Sequence, residues 1–531
     1  MPSRCLGGNP EEEQESLLGE QYDGPEREQS ASTYTYEDAI KATGFGKFSL
    51  YLLFLCGWAV SSDAIEVLSV TFMLPSGSCD LHLTSADKGW LNSVIFLGMM
   101  VGGYVWGSMA DRVGRRSVLL GSLTVNGLFG LASSTAQVFW LFLLLRFFSG
   151  VGVGGSIPVI FSYFTEFQHK SKRGMMISVL ATFWMFGNIV AAGLAWIVIP
   201  YQDLDYRSPN FVYNSWRIFL ALCTIPSLTS AAIFVLMPES PKFLLHMGKE
   251  GEAVQILKNV HKMNKSKTSF QIKSVILDSE AGDTGPFEAS TRNYSTGRCH
   301  NFVLGLKHMW SQSVELFQKP LRRTTIVILI AHVTLSFGYF GLWMWFPELF
   351  SRVEKFGGSP CERVTLLPNV SMATNATDPC HVDNWVYFEG FMTALSNLPG
   401  NLLTIFLMDR LGRRLLLSSS MVASGVCVFF IPFIKSKVEN LIISCLFGAI
   451  STIGWNSLDV LEAELFPTGV RSTAMGLLTG LSRVSAILGN QAFGQLVDVH
   501  CAVPLILVAS LLAFGGLISI KLPNTTRKDI H

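Results

Sequence analysis

Charged side chains are scarce in this sequence: Asp, Glu, Lys and Arg make up 15% of its 531 residues, while 49% are hydrophobic. A water-soluble surface draws on about a quarter of its residues being charged, so a soluble globular reading is excluded. The net charge of +1 offers no concentrated basic field to a polyphosphate, which sets nucleic-acid binding aside. The first 46 residues lack an apolar core and carry the acidic run Glu11, Glu12, Glu13 and Glu15, so no cleavable leader is expected and the first apolar helix acts as the insertion signal. The ten cysteines show no metal-ligand spacing, and Cys56, Cys223, Cys427 and Cys445 lie in apolar runs as small side chains. No nucleophile and base stand at recognisable spacing, and Gly150, Gly152, Gly154 and Gly155 follow no strand of a soluble domain. They read as close helix packing rather than as a phosphate cradle. An enzyme, a nucleotide-driven pump, a metal and a cofactor are therefore not expected.

Long apolar runs are what the sequence has. A helix needs about 20 apolar residues to cross hydrocarbon, which gives spans at 48–74, 89–110, 117–135, 138–163, 175–199 and 217–237, then at 323–349, 384–408, 415–434, 440–465, 473–495 and 502–521. The expected architecture is all-α and membrane-embedded: a tail 1–46, a six-helix bundle 47–240, a linker 241–322, a second bundle 323–521 with an outer loop 351–383, and a tail 522–531. Arg112, Arg115 and Arg116 follow the second span, Lys170, Lys172 and Arg173 the fourth, and Arg410, Arg413 and Arg414 the eighth. Positive charge stays inside, so both termini are expected in the cytosol. The sequons Asn369-Val370-Ser371 and Asn375-Ala376-Thr377 then fall in the outer loop and are expected to carry glycans, whereas those at Asn264, Asn293 and Asn524 are not. Cys361 and Cys380 bracket the outer sequons, and a disulfide closing that loop is expected.

Asp111-Arg112-Val113-Gly114-Arg115-Arg116 recurs as Asp409-Arg410-Leu411-Gly412-Arg413-Arg414, an offset of 298 residues. Gly150 and Gly448, Glu166 and Glu464, and Arg173 and Arg471 share that offset, so the chain reads as a duplicated six-helix unit with two pseudo-symmetric halves. The glycine of each loop suits a tight turn. The arginines can bridge to Asp111 and Asp409, with Glu166 and Glu464 as further partners. Such pairs are expected to gate the cytosolic side, holding it closed in one state and breaking in the other.

Asp63 and Glu66 sit near the middle of the first span on one helical face. A charged residue there costs about 2.5–3.5 kcal/mol on insertion scales, so such residues face a cavity or a partner. Two acids so close resist carrying two charges at once, which suits a proton-coupling site or the counter-charge of a cation. The alternative is a structural pair with Arg146 or Arg483. Asp459 lies one turn from Trp455, and an aromatic wall beside an acid favours a cationic or heteroaromatic ligand. Trp184, Tyr339, Phe340 and Trp343 are further candidates, while Trp345 beside Pro347 reads as an interfacial anchor against membrane lipid. Glu13, Leu17 and Leu18 form an acidic dileucine pattern of the kind read by clathrin adaptor proteins.

Two D-R-x-G-R-R loops are the signature of the major facilitator superfamily, which the chain resembles in both halves. Arg146-Phe147-Phe148-Ser149-Gly150, Pro238-Glu239-Ser240-Pro241-Lys242-Phe243-Leu244 and Glu464-Leu465-Phe466-Pro467-Thr468-Gly469-Val470-Arg471 are similar to signatures of its sugar-porter and organic-ion-transporter branches. Tyr36-Glu37-Asp38-Ala39-Ile40, Gly44-Phe45-Gly46-Lys47-Phe48, Phe183-Trp184-Met185-Phe186-Gly187 and Trp455-Asn456-Ser457-Leu458-Asp459 resemble the synaptic vesicle glycoprotein 2 family and its related protein. The loop between spans seven and eight is short where the larger vesicle glycoproteins carry an extended lumenal domain. The resemblance implies twelve membrane helices, transport of a small organic solute by alternating access, and a central pocket lined by Trp184, Tyr339, Phe340, Trp455 and Asp459. It also implies a rival reading, a transporter-like vesicle protein that regulates trafficking.

Overall fold

The computed structural model describes residues 33–201, 205–209, 211–264, 272, 274–276, 311, 313–356, 361, 382–434 and 436–523. The dileucine residues Glu13, Leu17 and Leu18, the sequons at Asn369 and Asn375, and Cys380 lie outside them. A short helix α1 (Tyr36–Thr43) precedes six long ones: α2 (Lys47–Asp80), α3 (Ser85–Val113), α4 (Arg115–Thr135), α5 (Phe139–Glu166), α6 (Lys170–Val198) and α7 (Ser215–Phe234). Helices α8 (Pro241–His246) and α9 (Glu250–Asn264) belong to the linker. The second half comprises α10 (Arg322–Trp343) continued by α11 (Phe346–Phe356), α12 (Asn384–Leu395) continued by α13 (Asn397–Leu411), α14 (Arg413–Phe430), α15 (Lys437–Leu465), α16 (Thr468–His500) and α17 (Ala502–Ser519).

Eleven helical segments among the described residues are long and apolar enough to cross a membrane. The twelfth, α16, has the length but fewer apolar residues. Its position explains the difference, because it packs between α3 of the first half and α10 of its own, facing protein rather than lipid. Successive helices break at the two loop glycines, Gly114 at φ 105° and Gly412 at φ 87°, a left-handed turn that a side chain resists. In the first bundle, glycines of α3 let α5 press close: a Cβ on Gly98 would lie 2.2 Å from the Phe147 carbonyl oxygen, and one on Gly102 would lie 2.0 Å from that of Val151. Small residues let helix backbones approach where lipid supplies no hydrophobic drive.

The two bundles meet at one end and part at the other. Away from the arginine loops, Gly89 of α3 rests on Gly494 of α16, where a Cβ would lie 3.1 Å from the opposing Cα. Ser93 Oγ donates to the Ile487 carbonyl at 3.3 Å and accepts from Gln491 Nε2 at 3.2 Å, and Asn92 Nδ2 donates to the Met344 carbonyl at 3.2 Å. Lys88 pairs with Glu348 at 2.8 Å, and Arg352 reaches Ser85 at 3.1 Å, Glu348 at 3.2 Å and Asp498 at 2.8 Å. Lys88, Glu348, Arg352 and Asp498 line a cavity of about 220 Å³ together with Pro75, Ser78 and Ser351. Toward the arginine loops the same helices separate: Gly107, Gly476 and Gly480 have open space where a Cβ would stand. The result is a V-shaped cleft open on the arginine-loop side.

The expected Cys361–Cys380 disulfide is corrected, since Cys361 bonds to Cys501 with the Cα atoms 5.1 Å apart. Cys361 comes after the end of α11, and Cys501 sits at the junction of α16 and α17, so the fold brings together residues 140 apart in sequence. Cys79 is also disulfide-bonded. Trp345 is no interfacial anchor: it is fully buried and stacks on Phe493 at 5.8 Å.

On the arginine-loop side, β1 (Thr33–Thr35) pairs in parallel with β2 (Ser274–Ile276) of the linker, and α1 packs on α9. Asn264 Oδ1 accepts from the Phe48 backbone N–H at 3.0 Å, and its Nδ2 donates to the Gly44 carbonyl at 2.8 Å, so this sequon asparagine is spent fixing the start of α2.

If the V is hinged at the α3–α16 contact, Gly89→Val drives the bundles apart at the disulfide end, whereas Gly480→Val meets nothing. A cysteine placed at Ser93 is expected to react several-fold faster with a membrane-impermeant maleimide in the first variant and at the parental rate in the second. Equal rates would remove the hinge.

Candidate functional site

The first bundle encloses a polar core. Asp63 and Glu66, three residues apart on α2, both turn toward α4 and α5, where a Cβ on Gly152 would lie 2.5 Å from the Asn126 backbone nitrogen. That close approach brings Ser149, Ser156 and Asn126 within reach of the acids. Arg146 Nη1 donates to Glu66 Oε1 and, at 3.1 Å, to Ser69 Oγ. Ser149 Oγ donates to the same Glu66 oxygen at 2.5 Å. Asp63 accepts from Ser156 Oγ at 2.7 Å and from Asn126 Nδ2 at 3.4 Å. Asp63 and Arg146 are 0% exposed and Glu66 1%, so none of them lines the cleft in this conformation. Glu66 and Arg146 cancel each other, and Asp63 is held by neutral donors. Its charge is the one that this core leaves uncancelled.

The second bundle contributes an aromatic wall. Tyr339 stacks on Trp343 with centroids 5.4 Å apart, and Phe340 lies 5.2 Å from Tyr339. Trp455 of α15 faces Tyr339 at 6.0 Å, Phe340 at 5.8 Å and His332 at 5.5 Å. Phe340 crosses the seam to Phe96 of α3, centroids 5.0 Å apart, and Trp184 of α6 packs on the same apolar cluster as Phe340. The structure therefore joins Trp184, Tyr339, Phe340, Trp343 and Trp455 around one seam. Asp459 is exposed although it lies in the membrane-spanning part of α15, so it faces the opening rather than packed protein. Next to it, His332 Nδ1 and Glu462 Oε1 are 2.5 Å apart and buried. Sequence reasoning missed this pair, Lys88 with Glu348, and Arg483 as a member of the cleft. The signal was present, since each is an ionisable residue inside an apolar span.

The expected gating residues form a brace in each half. Arg115 pairs with Asp111 at 3.2 Å and with Glu166 at 3.3 Å, and Arg413 pairs with Glu464 at 3.4 Å, the same partners one repeat apart. Arg116 takes the Glu239 carboxylate through its backbone N–H at 3.0 Å, Arg115 lies over the Phe243 ring at 5.2 Å, and Arg414 donates to the Leu522 carbonyl at 3.2 Å. Arg173 pairs with Glu37 of α1 at 3.0 Å, and Tyr36 donates to the Glu166 carbonyl at 2.6 Å. Arg112 and Arg410 are exposed, and the side chains of Asp409 and Arg471 lie outside the described residues. These pairs are intact while the cleft is open beside them, so in this conformation they brace each bundle and do not close it. Among the described residues, the ion pair that joins the bundles is Lys88–Glu348, at the opposite end.

A model of the Major Facilitator Superfamily matches residues 48–490. The chain belongs to that superfamily. Within it the chain is 32% identical over 584 residues to synaptic vesicle glycoprotein 2C of Rattus norvegicus, covering 92% of this chain and 80% of the relative. It is 32% identical over 609 residues to synaptic vesicle glycoprotein 2A of Homo sapiens, covering 96% and 81%. This places it in the synaptic vesicle glycoprotein 2 family, whose members are not enzymes. Among solved structures it shares its fold with the partially occluded inward-open conformation of the xylose transporter of E. coli, at a TM-score of 0.63 and 16% identity, covering 93% of this chain and 99% of that one.

Arg146→Met leaves Glu66 charged and unmatched in the first bundle, a loss of about 3–5 kcal/mol for a broken buried pair. The single variant is expected to unfold at a clearly lower temperature in detergent. Adding Glu66→Gln should recover much of that loss, and a double variant no better than the single would show that the pair is not coupled.

Proposed function

We propose that the chain is a carrier for a small organic solute, which binds in the cleft between the bundles and crosses by alternating access. The cleft itself carries this reading: it is sealed at one end by Lys88–Glu348, open at the other, and walled by Trp184, Phe340 and Trp455 at the seam. The positive-inside pattern makes the open side cytosolic, and the partly occluded inward-open relative in fold agrees with that sense. Substrate contacts are assigned to Trp184, Tyr339, Phe340, Trp343, Trp455 and Asp459. Asp63, with Glu66 locked to Arg146 beside it, is the proton site. A solved structural neighbour, a proton:xylose symporter, supports a proton as the coupling ion. In the cycle the paired loop arginines keep each bundle rigid, and the Lys88–Glu348 contact opens and closes the far side.

The names of the relatives favour a second reading, a vesicle-membrane protein that acts on trafficking through adaptor proteins at Glu13, Leu17 and Leu18. The two part on uptake by purified protein in liposomes under an imposed pH gradient, screening labelled sugars, organic anions and organic cations. A carrier gives gradient-dependent uptake that Asp63→Asn lowers by about tenfold or more, the scale of a lost proton-transfer group, while Leu17→Ala with Leu18→Ala leaves uptake unchanged. A folded protein that moves none of these compounds would sink the carrier reading.

A further inference from the structure

Helix α16 carries a guanidinium that neither bundle neutralises. Arg483 lies at its middle, one turn from the contact of Ile487 with Ser93 and on the other side from the open positions Gly476 and Gly480. It thus stands at the apex of the cleft, where the halves begin to part. Its Cζ is 5.7 Å from the Phe96 ring of the first bundle and 5.9 Å from the Phe340 ring of the second. No carboxylate among the described residues pairs with it, and its nitrogens are not sealed by protein. Arg146 and Arg217, which are fully buried where Arg483 is only partly so, both have oxygen acceptors. A cation so deep in a membrane protein needs a counter-charge, and two aromatic faces answer it only in part.

A second donor stands nearby. Trp455 Nε1 is buried with no acceptor, and its ring is 5.8 Å from the same Phe340. Trp455 is thus a second group whose hydrogen-bonding capacity the protein leaves unused beside that ring. The acids that would draw a cationic solute are placed elsewhere. Asp63 and Glu66 are walled inside the first bundle, Glu462 is tied to His332, and Asp459 lies a turn beyond Trp455 toward the open mouth.

We infer that the solute is a small organic anion whose carboxylate is held by Arg483 at the cleft apex, with its apolar body lying along Phe340 and Trp455. The inference rests on the cleft being the solute site, and it replaces the cationic ligand that the acids alone suggest. Arg483 fixes the charge of the ligand because a guanidinium binds a carboxylate through two parallel hydrogen bonds. Trp455 adds a donor and a ring face.

Benzoate, benzamide and benzamidine share one ring and differ in charge, so they probe the site directly. The full-length chain is reconstituted in nanodiscs, and its unfolding temperature is followed as each compound is titrated. Benzoate is expected to stabilise the protein at lower concentration than benzamide, and benzamidine not at all. Arg483→Gln should weaken benzoate by about tenfold or more, the scale of a lost charge-assisted contact, with Arg483→Lys intermediate and Trp455→Phe affected by a few-fold. The midpoint of each variant without ligand reports in the same experiment whether it is folded. Preference for benzamidine, no preference by charge, no binding by any probe, or equal benzoate binding to folded Arg483→Gln would overturn the inference. Benzoate binding without uptake of any solute in the liposome assay would leave the anion site standing and remove the carrier. Coupled uptake of a neutral solute without benzoate preference would do the reverse.

Discussion

A charge placed in hydrocarbon must be met by another group, and most of the interior of this protein is arranged to meet that demand. Glu66 takes Arg146, His332 takes Glu462, and Lys88 with Arg352 takes Glu348 and Asp498. Each match joins helices that hydrophobic attraction cannot hold together, because lipid tails are as apolar as the side chains they would replace. Among the described residues Asp63, Asp459 and Arg483 form no ion pair. The buried Glu389 and Arg217 form none either, but Glu389 accepts from the Trp385 indole and Arg217 donates to the Ser134 and Ala136 carbonyls. Asp63, Asp459 and Arg483 are the ones that lie in or near the space a solute and a proton would use, so pairing and position together separate scaffold from candidate site.

Close approach of backbones makes the pairing possible. A side chain at Gly102, Gly152 or Gly154 would strike a neighbouring helix backbone, and without that approach Ser149, Ser156 and Asn126 would not reach the acids of α2. Other glycines decide the shape of the cleft. Gly89 and Gly494 allow α3 and α16 to touch at one end, while Gly476 and Gly480 leave the other end bare. A helix with one packed end and one bare end can rock about the packed part, and that motion is what alternating access requires.

Much of this was legible in the sequence. Apolar run lengths mark the spans, the repeated D-R-x-G-R-R loops mark the duplication, and the shared offset points to Glu166 and Glu464 as partners of the loop arginines, which Arg115 and Arg413 take. Periodicity placed Asp63 and Glu66 on one face, but it has no means of saying which way that face points, and the face points into the bundle. Bracketing sequons led to Cys380, whereas the bond goes to Cys501, because a loop closes on what the fold brings near rather than on what the chain brings near. Span α16 was found, but its role was not, since a moderately polar helix reads alike whether it borders lipid or a seam.

The duplication itself shows where the two halves have parted ways. At the offset of 298 residues the brace is retained, with Arg115 and Glu166 matching Arg413 and Glu464. The site is not: along the same helices Arg146 falls opposite Ser444, Asp459 opposite Phe161, and Arg483 opposite Met185. A brace does the same mechanical task in each half, so a symmetric fold can keep two copies. A solute held between the halves presents different atoms to each, and a proton site needs one uncancelled acid rather than two. The first bundle keeps its uncancelled acid sealed behind Ser156 and Asn126, and the second turns Asp459, Trp455 and Arg483 toward the cleft or its aromatic wall. Symmetric bundles thus carry asymmetric chemistry, which is the arrangement that the proposed carriage of a solute together with a proton would require.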